Sequence, residues 1–170
     1  DAVQQSFSLH DLRSEATVES HHHARACIKA GRQSVSRNHV FRLGDRPVEL
    51  PFPAGLEGMA GRLVAANGGV LWERGRSGLF RFDGTRWRLF TAKDGLLDAP
   101  VEEVGAVTGE EAWVRYRSGQ AISRLRLRGG GLDVRHFRRA DGLLDTAPFF
   151  IGRDAAGRAW LGGENGISVV

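Results

Sequence analysis

Apolar residues along this chain alternate with polar ones in short runs instead of recurring at helical spacing. Leu79-Phe80-Arg81-Phe82 meets Asp83-Gly84 and is followed by Arg86-Trp87-Arg88-Leu89-Phe90. A period of two is what a half-buried strand requires. Asp-Gly between two such runs predicts a hairpin closed by a type I′ turn, whose central residues need positive φ. Further on, Ser123-Arg124-Leu125-Arg126-Leu127 is followed by three glycines, 129–131, and by the run Leu132 to Phe137. No stretch of ten or more residues carries a capped 3.6-residue period. Residues 9–30 come closest, but Thr17, Val18 and His21-His22-His23 make a poor helix.

The pattern repeats. Asp94-Gly95-Leu96-Leu97-Asp98-Ala99-Pro100 is nearly copied by Asp141-Gly142-Leu143-Leu144-Asp145-Thr146-Ala147-Pro148, with Gly95 and Gly142 47 residues apart. A weaker copy, Ala54-Gly55-Leu56, lies 40 residues before Gly95. Trp72, Trp113 and Trp160 keep the same step, at 41 and 47 residues, each just after a polar, turn-forming stretch. One unit therefore reads as four antiparallel strands. Strand A spans about 61–66, B about 70–73, C about 79–82 and D about 86–90, and the Asp-Gly-Leu-Leu-Asp loop then leads to the next strand A at about 101–107.

Four strands in a repeat of roughly 40–50 residues predict an all-β fold, a β-propeller with four-stranded antiparallel blades. A solenoid of four-stranded units is the alternative. The chain holds about four blades' worth of repeats. Residues 1–60 read as a degenerate first repeat (Ala16–Phe52) preceded by a strand at Ser6–Leu9. Residues 61–170 read as well-matched units near 61–100, 101–148 and 149–170, all within one domain. Ser6–Leu9 resembles an isolated strand D, and Ile167–Val170 resembles a strand C. Three arrangements fit: a small ring closed within one chain, a ring shared by two chains through their blade edges, or a piece of a larger propeller. An open stack would expose unpaired edges.

Leu71-Trp72, Gly78-Leu79-Phe80-Arg81-Phe82-Asp83-Gly84 and Lys93-Asp94-Gly95-Leu96 together resemble the two-component-regulator propeller repeat. The same frame recurs from Asp154 to Gly163, followed by Gly166-Ile167. The resemblance is good from about residue 61 to 170 and weak before it. It implies a sensor propeller of bacterial hybrid histidine kinases and diguanylate cyclases, placed in the periplasm or otherwise outside the cytoplasm. Two departures stand out. Arg74-Gly75 and Arg115-Tyr116 occupy the place of the family's small Gly-Thr pair, and Cys27-Ile28 stands where Leu-Trp is expected.

Composition narrows the classes. With 41% apolar and 26% charged residues over 170 positions, the chain is globular rather than disordered. Twenty-three glycines against five prolines suit many tight turns. The single cysteine, Cys27, excludes an internal disulfide and a cysteine-rich zinc site, and reads as a small buried hydrophobe. No apolar run is long enough to span a membrane, and the first residues lack the pattern of a signal peptide. The net charge is +4, and 22 of the 24 basic residues are arginine. Acidic residues are interspersed among them, so no nucleic-acid partner is expected.

In a four-stranded meander the B–C and D–A loops emerge on one face and the A–B and C–D turns on the other. The first face gathers Arg76, Ser77, Arg117, Ser118, Gln120, Glu164 and Asn165 near Asp94, Asp98, Asp141 and Asp145. Guanidinium forks and hydroxyls there suit a carboxylate, a phosphate or an acidic sugar, hence a small anionic or oligosaccharide ligand. The aspartates read first as turn formers bonded to backbone amides, with the loop arginines pairing onto them.

His21 and His23 would share one face of a strand, but no third metal ligand is visible. His10, His39 and His136 read as surface or half-buried. The repeating tryptophans read as packing between blades, Trp87 as partly exposed, and Phe149-Phe150-Ile151 as a buried innermost strand. The adjacent pairs Glu102-Glu103 and Glu110-Glu111 should point to opposite faces of their strands. No nucleophile elbow, Walker loop or dinucleotide glycine motif occurs, so neither a catalytic set nor a cofactor is expected. The expected function is a non-catalytic, ligand-binding propeller segment of a bacterial signal-transduction receptor. A protein-interaction scaffold and a carbohydrate-active propeller enzyme are the alternatives.

Overall fold

A computed structural model of the chain describes residues 24–25, 33–36, 39–42, 48–50, 53, 63–75 and 77–170. Four antiparallel sheets follow one another. The first holds β1 (Ala24–Arg25), β2 (Gln33–Ser36), β3 (His39–Arg42) and β4 (Val48–Leu50). The second holds β5 (Val64–Ala65), β6 (Leu71–Gly75), β7 (Gly78–Phe82) and β8 (Trp87–Phe90). The third holds β9 (Val101–Gly105), β10 (Glu111–Tyr116), β11 (Ile122–Arg128) and β12 (Gly131–Phe137). The fourth holds β13 (Phe150–Arg153), β14 (Ala159–Gly163) and β15 (Gly166–Val169). Within each sheet the strands pair in chain order, the meander that the alternating runs predict. The Ser6–Leu9 strand, the histidine run 21–23 and Cys27 lie outside the described residues.

The hairpin at Asp83-Gly84 forms, but its turn is longer than a type I′ turn. Phe82 pairs with Trp87, leaving residues 83–86 as the loop. The Asp83 carboxylate decides this. Its Oδ1 accepts from Thr85 N at 2.9 Å, Thr85 Oγ1 at 2.7 Å and Arg86 N at 2.9 Å. Three donors on one oxygen hold a wider turn than two residues could close. The Arg86 and Thr85 amides and the Thr85 hydroxyl also hold this carboxyl well below the usual carboxylate range.

Neighbouring sheets stack face to face through their apolar residues. Trp72, Leu79 and Phe90 of the second sheet pack on Val104, Val114 and Leu125 of the third. Trp113, Ile122 and Phe137 of the third pack on Ile151 and Leu161 of the fourth. Leu50 of the first meets Leu71 and Phe82 of the second. Trp72 and Trp113 are fully buried, as packing between sheets requires. The inner strands approach so closely that a side chain on Gly105 of β9 would strike the Ile151 carbonyl of β13.

The arginines explain themselves here. Arg74 Nη1 donates to Glu102 O at 2.8 Å, and Arg88 Nη1 to Gly130 O at 2.7 Å. Arg81 donates to Gly109 O through Nε at 2.9 Å and Nη2 at 2.7 Å, and Arg153 Nε donates to Ala106 O at 3.1 Å. Each of these bonds crosses from one sheet to the backbone of its neighbour. Trp72 Nε1 does the same, donating to Thr108 O at 2.9 Å.

The fourth sheet departs from the expected burial. Phe149 and Phe150 are 70% and 54% exposed instead of lying in a buried inner strand; only Ile151 is buried. Phe150 pairs with Gly162 and Trp160 with Val169, which puts these side chains on the face turned away from the third sheet. Nothing among the described residues covers that face, so Trp160 is only half-buried, beneath Arg158 at 5.7 Å.

One buried acid stands apart. Glu73 in β6 is 1% exposed and accepts only the Arg74 N–H, at 3.1 Å, among its described partners. Burial pushes its carboxyl from 4.5 up to about 8, outweighing the nearby Arg74 charge. The folded chain therefore keeps a proton at neutral pH that the unfolded chain gives up. This stabilisation is complete below about pH 4.5 and is lost as the pH rises through about 8. Glu73→Gln should melt several degrees above the wild type at pH 8 and within error of it near pH 4.5, as thermal melts across that range will show.

Candidate functional site

Two D–A loops of one design shape the face on which the sequence places its ligand groups. Ala92–Asp94 and Arg139–Asp141 each form a 3-10 turn, and each turn ends on a left-handed glycine, Gly95 at φ 100° and Gly142 at φ 95°. Asp94 Oδ2 accepts the Thr91 N–H at 2.9 Å, and Asp141 Oδ2 accepts the Arg138 N–H at 2.8 Å. Both aspartates are thus turn formers, as read from sequence. Asp145 accepts Ala147 N at 2.9 Å and Asn165 Nδ2 at 3.2 Å, and lies 3.7 Å from Arg139. The Ala147 amide, with these neighbours, holds the Asp145 carboxyl below the ordinary range.

The predicted ligand residues fall into two groups. Ser77, in the β6–β7 turn, and Arg117, Ser118 and Gln120, in the β10–β11 turn, are exposed and flank the loop 91–100. The Arg117 amide donates to Pro100 O at 2.9 Å, which fixes that turn on the loop's far end. Glu164 and Asn165 are exposed in the β14–β15 turn and belong to the second loop through the Asn165–Asp145 bond. Arg76 lies outside the described residues. The loop arginines were expected to pair with the loop aspartates. Instead Asp94 takes Arg88 of β8 at 3.8 Å, and Asp145 takes Arg139 of its own loop.

Between Ser77 and the first loop opens a cleft of about 420 Å³. Its wall carries the Ser77 and Thr91 hydroxyls, the Lys93 ammonium and the Asp98 carboxylate, above Leu97 and Ala99. Lys93 and Asp98 are exposed. One cation, one carboxylate and two hydroxyls within one cleft can hold an anionic group and hydroxyls together. Lys93, Thr91 and Ala99 were not singled out in the sequence. The copied Asp-Gly-Leu-Leu-Asp loop was the available signal, since it placed these residues on the face of the B–C turns.

Below this face, on the inner strand, sits a compact charge cluster. Arg115 pairs with Glu103 but Tyr116 pairs with Val101, so Glu102 is the extra residue of a β-bulge. A bulge sets two residues against one and re-aims their side chains. Arg115 Nη1 accordingly meets Glu102 Oε2 at 2.6 Å, and Nη2 meets Glu103 Oε2 at 3.3 Å. The expectation that these two carboxylates point to opposite faces is therefore corrected: the bulge breaks the strand's alternation. Arg74 closes the cluster through the Glu102 carbonyl. Arg74 and Arg115 are the two departures from the repeat's small pair, the one sign of this cluster in the sequence.

Glu111 forms a second node, between the third and fourth sheets. It accepts from Arg126, from Arg153 and from Trp113 Nε1. Burial pushes its pKa up, but the two guanidinium groups more than reverse this and hold it low. It floors a cleft of about 350 Å³ on the opposite face.

No family model matches the chain, and no curated protein does. Among solved structures the chain is similar to virginiamycin B lyase from Staphylococcus aureus, solved as a catalytically inactive variant with quinupristin. The TM-score is 0.55 at 12% identity, over 85% of this chain and 53% of that one. The chain thus spans about half the length of that structure. A likeness at this identity shows the fold alone: an all-β array of antiparallel, four-stranded sheets of the propeller type.

Arg115→Met should leave Glu102 and Glu103 facing each other without their shared cation. The loss expected is about 1–3 kcal/mol in urea unfolding. The double change Glu102→Gln with Glu103→Gln should cost less than Arg115→Met, because it leaves no carboxylates to repel.

Proposed function

We propose that this chain is a non-catalytic, ligand-binding propeller segment of a bacterial signal-transduction receptor, working outside the cytoplasm. Its ligand is a small anionic molecule rich in hydroxyls, with a uronate or its oligomers as the best match. The cleft of about 420 Å³ carries this reading. Lys93 supplies positive charge for a carboxylate, joined by Arg117, whose amide is bonded to Pro100 of the cleft wall, and Asp98, Ser77 and Thr91 supply partners for hydroxyls. Glu102 and Glu103 support a binding role over a catalytic one, because both are committed to Arg115. The receptor context rests on the repeat's resemblance to sensor propellers.

The same geometry suggests how binding is passed on. Ser77 belongs to the second sheet, Arg117 to the third, and the loop between β8 and β9 joins the two. A ligand spanning the cleft would bridge the two sheets at this face.

Titration calorimetry with galacturonate and its short oligomers tests the reading, with neutral galactose as the control. Binding should weaken with added salt, and Lys93→Ala and Arg117→Ala should each lower affinity about tenfold. Equal binding of galactose, or full affinity in the double variant, would sink the proposal.

A further inference from the structure

The outer strands of the third sheet carry arginines on the face that the sheet turns toward the fourth. Alternation along β11 puts Arg124, Arg126 and Arg128 on one side of the strand. Arg124 pairs with Trp113 of β10, which packs on the fourth sheet, and with Arg135 of β12. Residues two apart on a strand lie about 7 Å apart, and directly opposed Cβ atoms about 5 Å apart. Arg124, Arg126 and Arg135 are therefore the corners of a small triangle. Like charges set directly opposite each other destabilise a sheet. Yet both opposed guanidinium groups lie against one ring, Phe137, at 5.9 Å for Arg124 and 4.6 Å for Arg135. That ring gathers the two cations instead of letting them part.

The preceding unit uses the same position for something else. Arg81 stands opposite Trp72 as Arg124 stands opposite Trp113. Arg81 places its fork on the Gly109 carbonyl, in the first turn of the next sheet. In the fourth sheet the corresponding turn is already occupied, because its Gly157 carbonyl accepts from Arg153 Nη1 at 2.6 Å. Among the described residues neither the Arg124 nor the Arg135 guanidinium has a hydrogen-bond partner. Arg126 adds a third fork. Its Nε is held by Glu111, and its two terminal nitrogens have no partner among the described residues. Glu111 is shared with Arg153, and Asp133, opposite Arg126, lies 3.9 Å from Arg128. The triangle thus keeps a net positive charge.

Arg126 also lines the cleft of about 350 Å³, beside Thr108 and Arg128. Thr108 Oγ1 accepts the Glu110 and Glu111 amides at 3.2 and 2.9 Å, so its hydroxyl proton remains to be given. We propose that this place binds a phosphate monoester, its dianionic head on Arg124, Arg126 and Arg135 and its body in the cleft beside Thr108. A carboxylate offers two oxygens in one plane and a single charge. A phosphate monoester offers three terminal oxygens, splayed toward three corners, and carries close to two charges at pH 8. Three forks around one point match the second and not the first. A bound dianion also offsets the repulsion between Arg124 and Arg135. The site lies on the face opposite the 91–100 loop and does not depend on the uronate reading.

Calorimetric titration of the chain with phenyl phosphate at pH 8, beside phenyl sulfate and benzoate, tests the site. The three probes share a ring and differ in the head group. Phenyl phosphate should bind at least about tenfold more tightly than either of the others. Arg124→Gln and Arg135→Gln should each lower that affinity about tenfold. Both should melt no lower than the wild type, since each removes one of two opposed cations. On adding phenyl phosphate, backbone amide shifts should centre on residues 124–128 and 133–135 and spare 91–100. Equal affinity for the three probes, full affinity in the Arg124→Gln, Arg135→Gln double variant, or shifts confined to the 91–100 loop would each overturn the proposal.

Discussion

Everything else in this molecule depends on how one sheet is fastened to the next. A four-stranded meander of this length has two faces to bury and cannot do so alone. Trp72 and Trp113 provide the apolar mass, each wholly covered by the sheet that follows. Apolar stacking is non-directional, though, and does not set how far one sheet is turned against its neighbour. The arginine forks set that. Arg74, Arg81 and Arg88 all leave the second sheet and end on backbone carbonyls of the third, at Glu102, Gly109 and Gly130. Backbone acceptors cannot change rotamer, so three such bonds at three heights fix the angle between the sheets. The wealth of arginine over lysine follows from this use, because a planar fork with a long apolar stem can cross a packed interface where a hydrated ammonium cannot.

That fastening is also what makes a site possible. The loop 91–100 runs between two sheets that are held rigidly, and its own Asp94 and Gly95 settle its backbone. The structural needs of the loop are met by these residues and by Tyr116 beneath it. Lys93, Asp98 and Ser77 are then left facing solvent around a cleft. The second loop shows the contrast. It has the same turn, yet its second aspartate, Asp145, is occupied by Asn165 and Arg139 where the corresponding Asp98 is exposed. Two copies of one segment have thus divided, one closed by its own side chains and one open.

Much of this was legible in the sequence because it depends on local rules. Alternation gave the strands, and the spacing of Trp72, Trp113 and Trp160 gave the repeat. The roles of Asp94 and Asp141 as turn formers were readable because an aspartate bonds amides near it in sequence. Four features were not readable. The turn after Phe82 widened because Asp83 captures three donors, a competition the Asp-Gly motif does not reveal. Glu102 and Glu103 met on Arg115 because a bulge removed the alternation on which the prediction relied. Phe149 and Phe150 came out exposed because burial depends on a neighbouring sheet, not on the strand's own pattern. His136 looked like one more scattered histidine, because its partner Ser123 lies 13 residues away in the chain and meets it only through cross-strand pairing.

These misses share a cause, and it bears on where chemistry arises in a repeat fold. A repeat conserves backbone, since each unit must dock on the next in the same way, and it leaves single positions free to differ. Arg74 and Arg115 stand at equivalent positions in successive units, where the resembling repeat keeps small residues. The one at 74 reaches a backbone carbonyl of the next sheet, while the one at 115 takes two carboxylates of its own sheet. The difference lies in the bulge at Glu102, which brings both acids to the second guanidinium. A one-residue change in register has converted a structural fastening into a charged cluster at the inner strand, just below the cleft. In a fold whose blades are otherwise interchangeable, such departures from the repeat mark the places where one blade acquires a role that its neighbours lack.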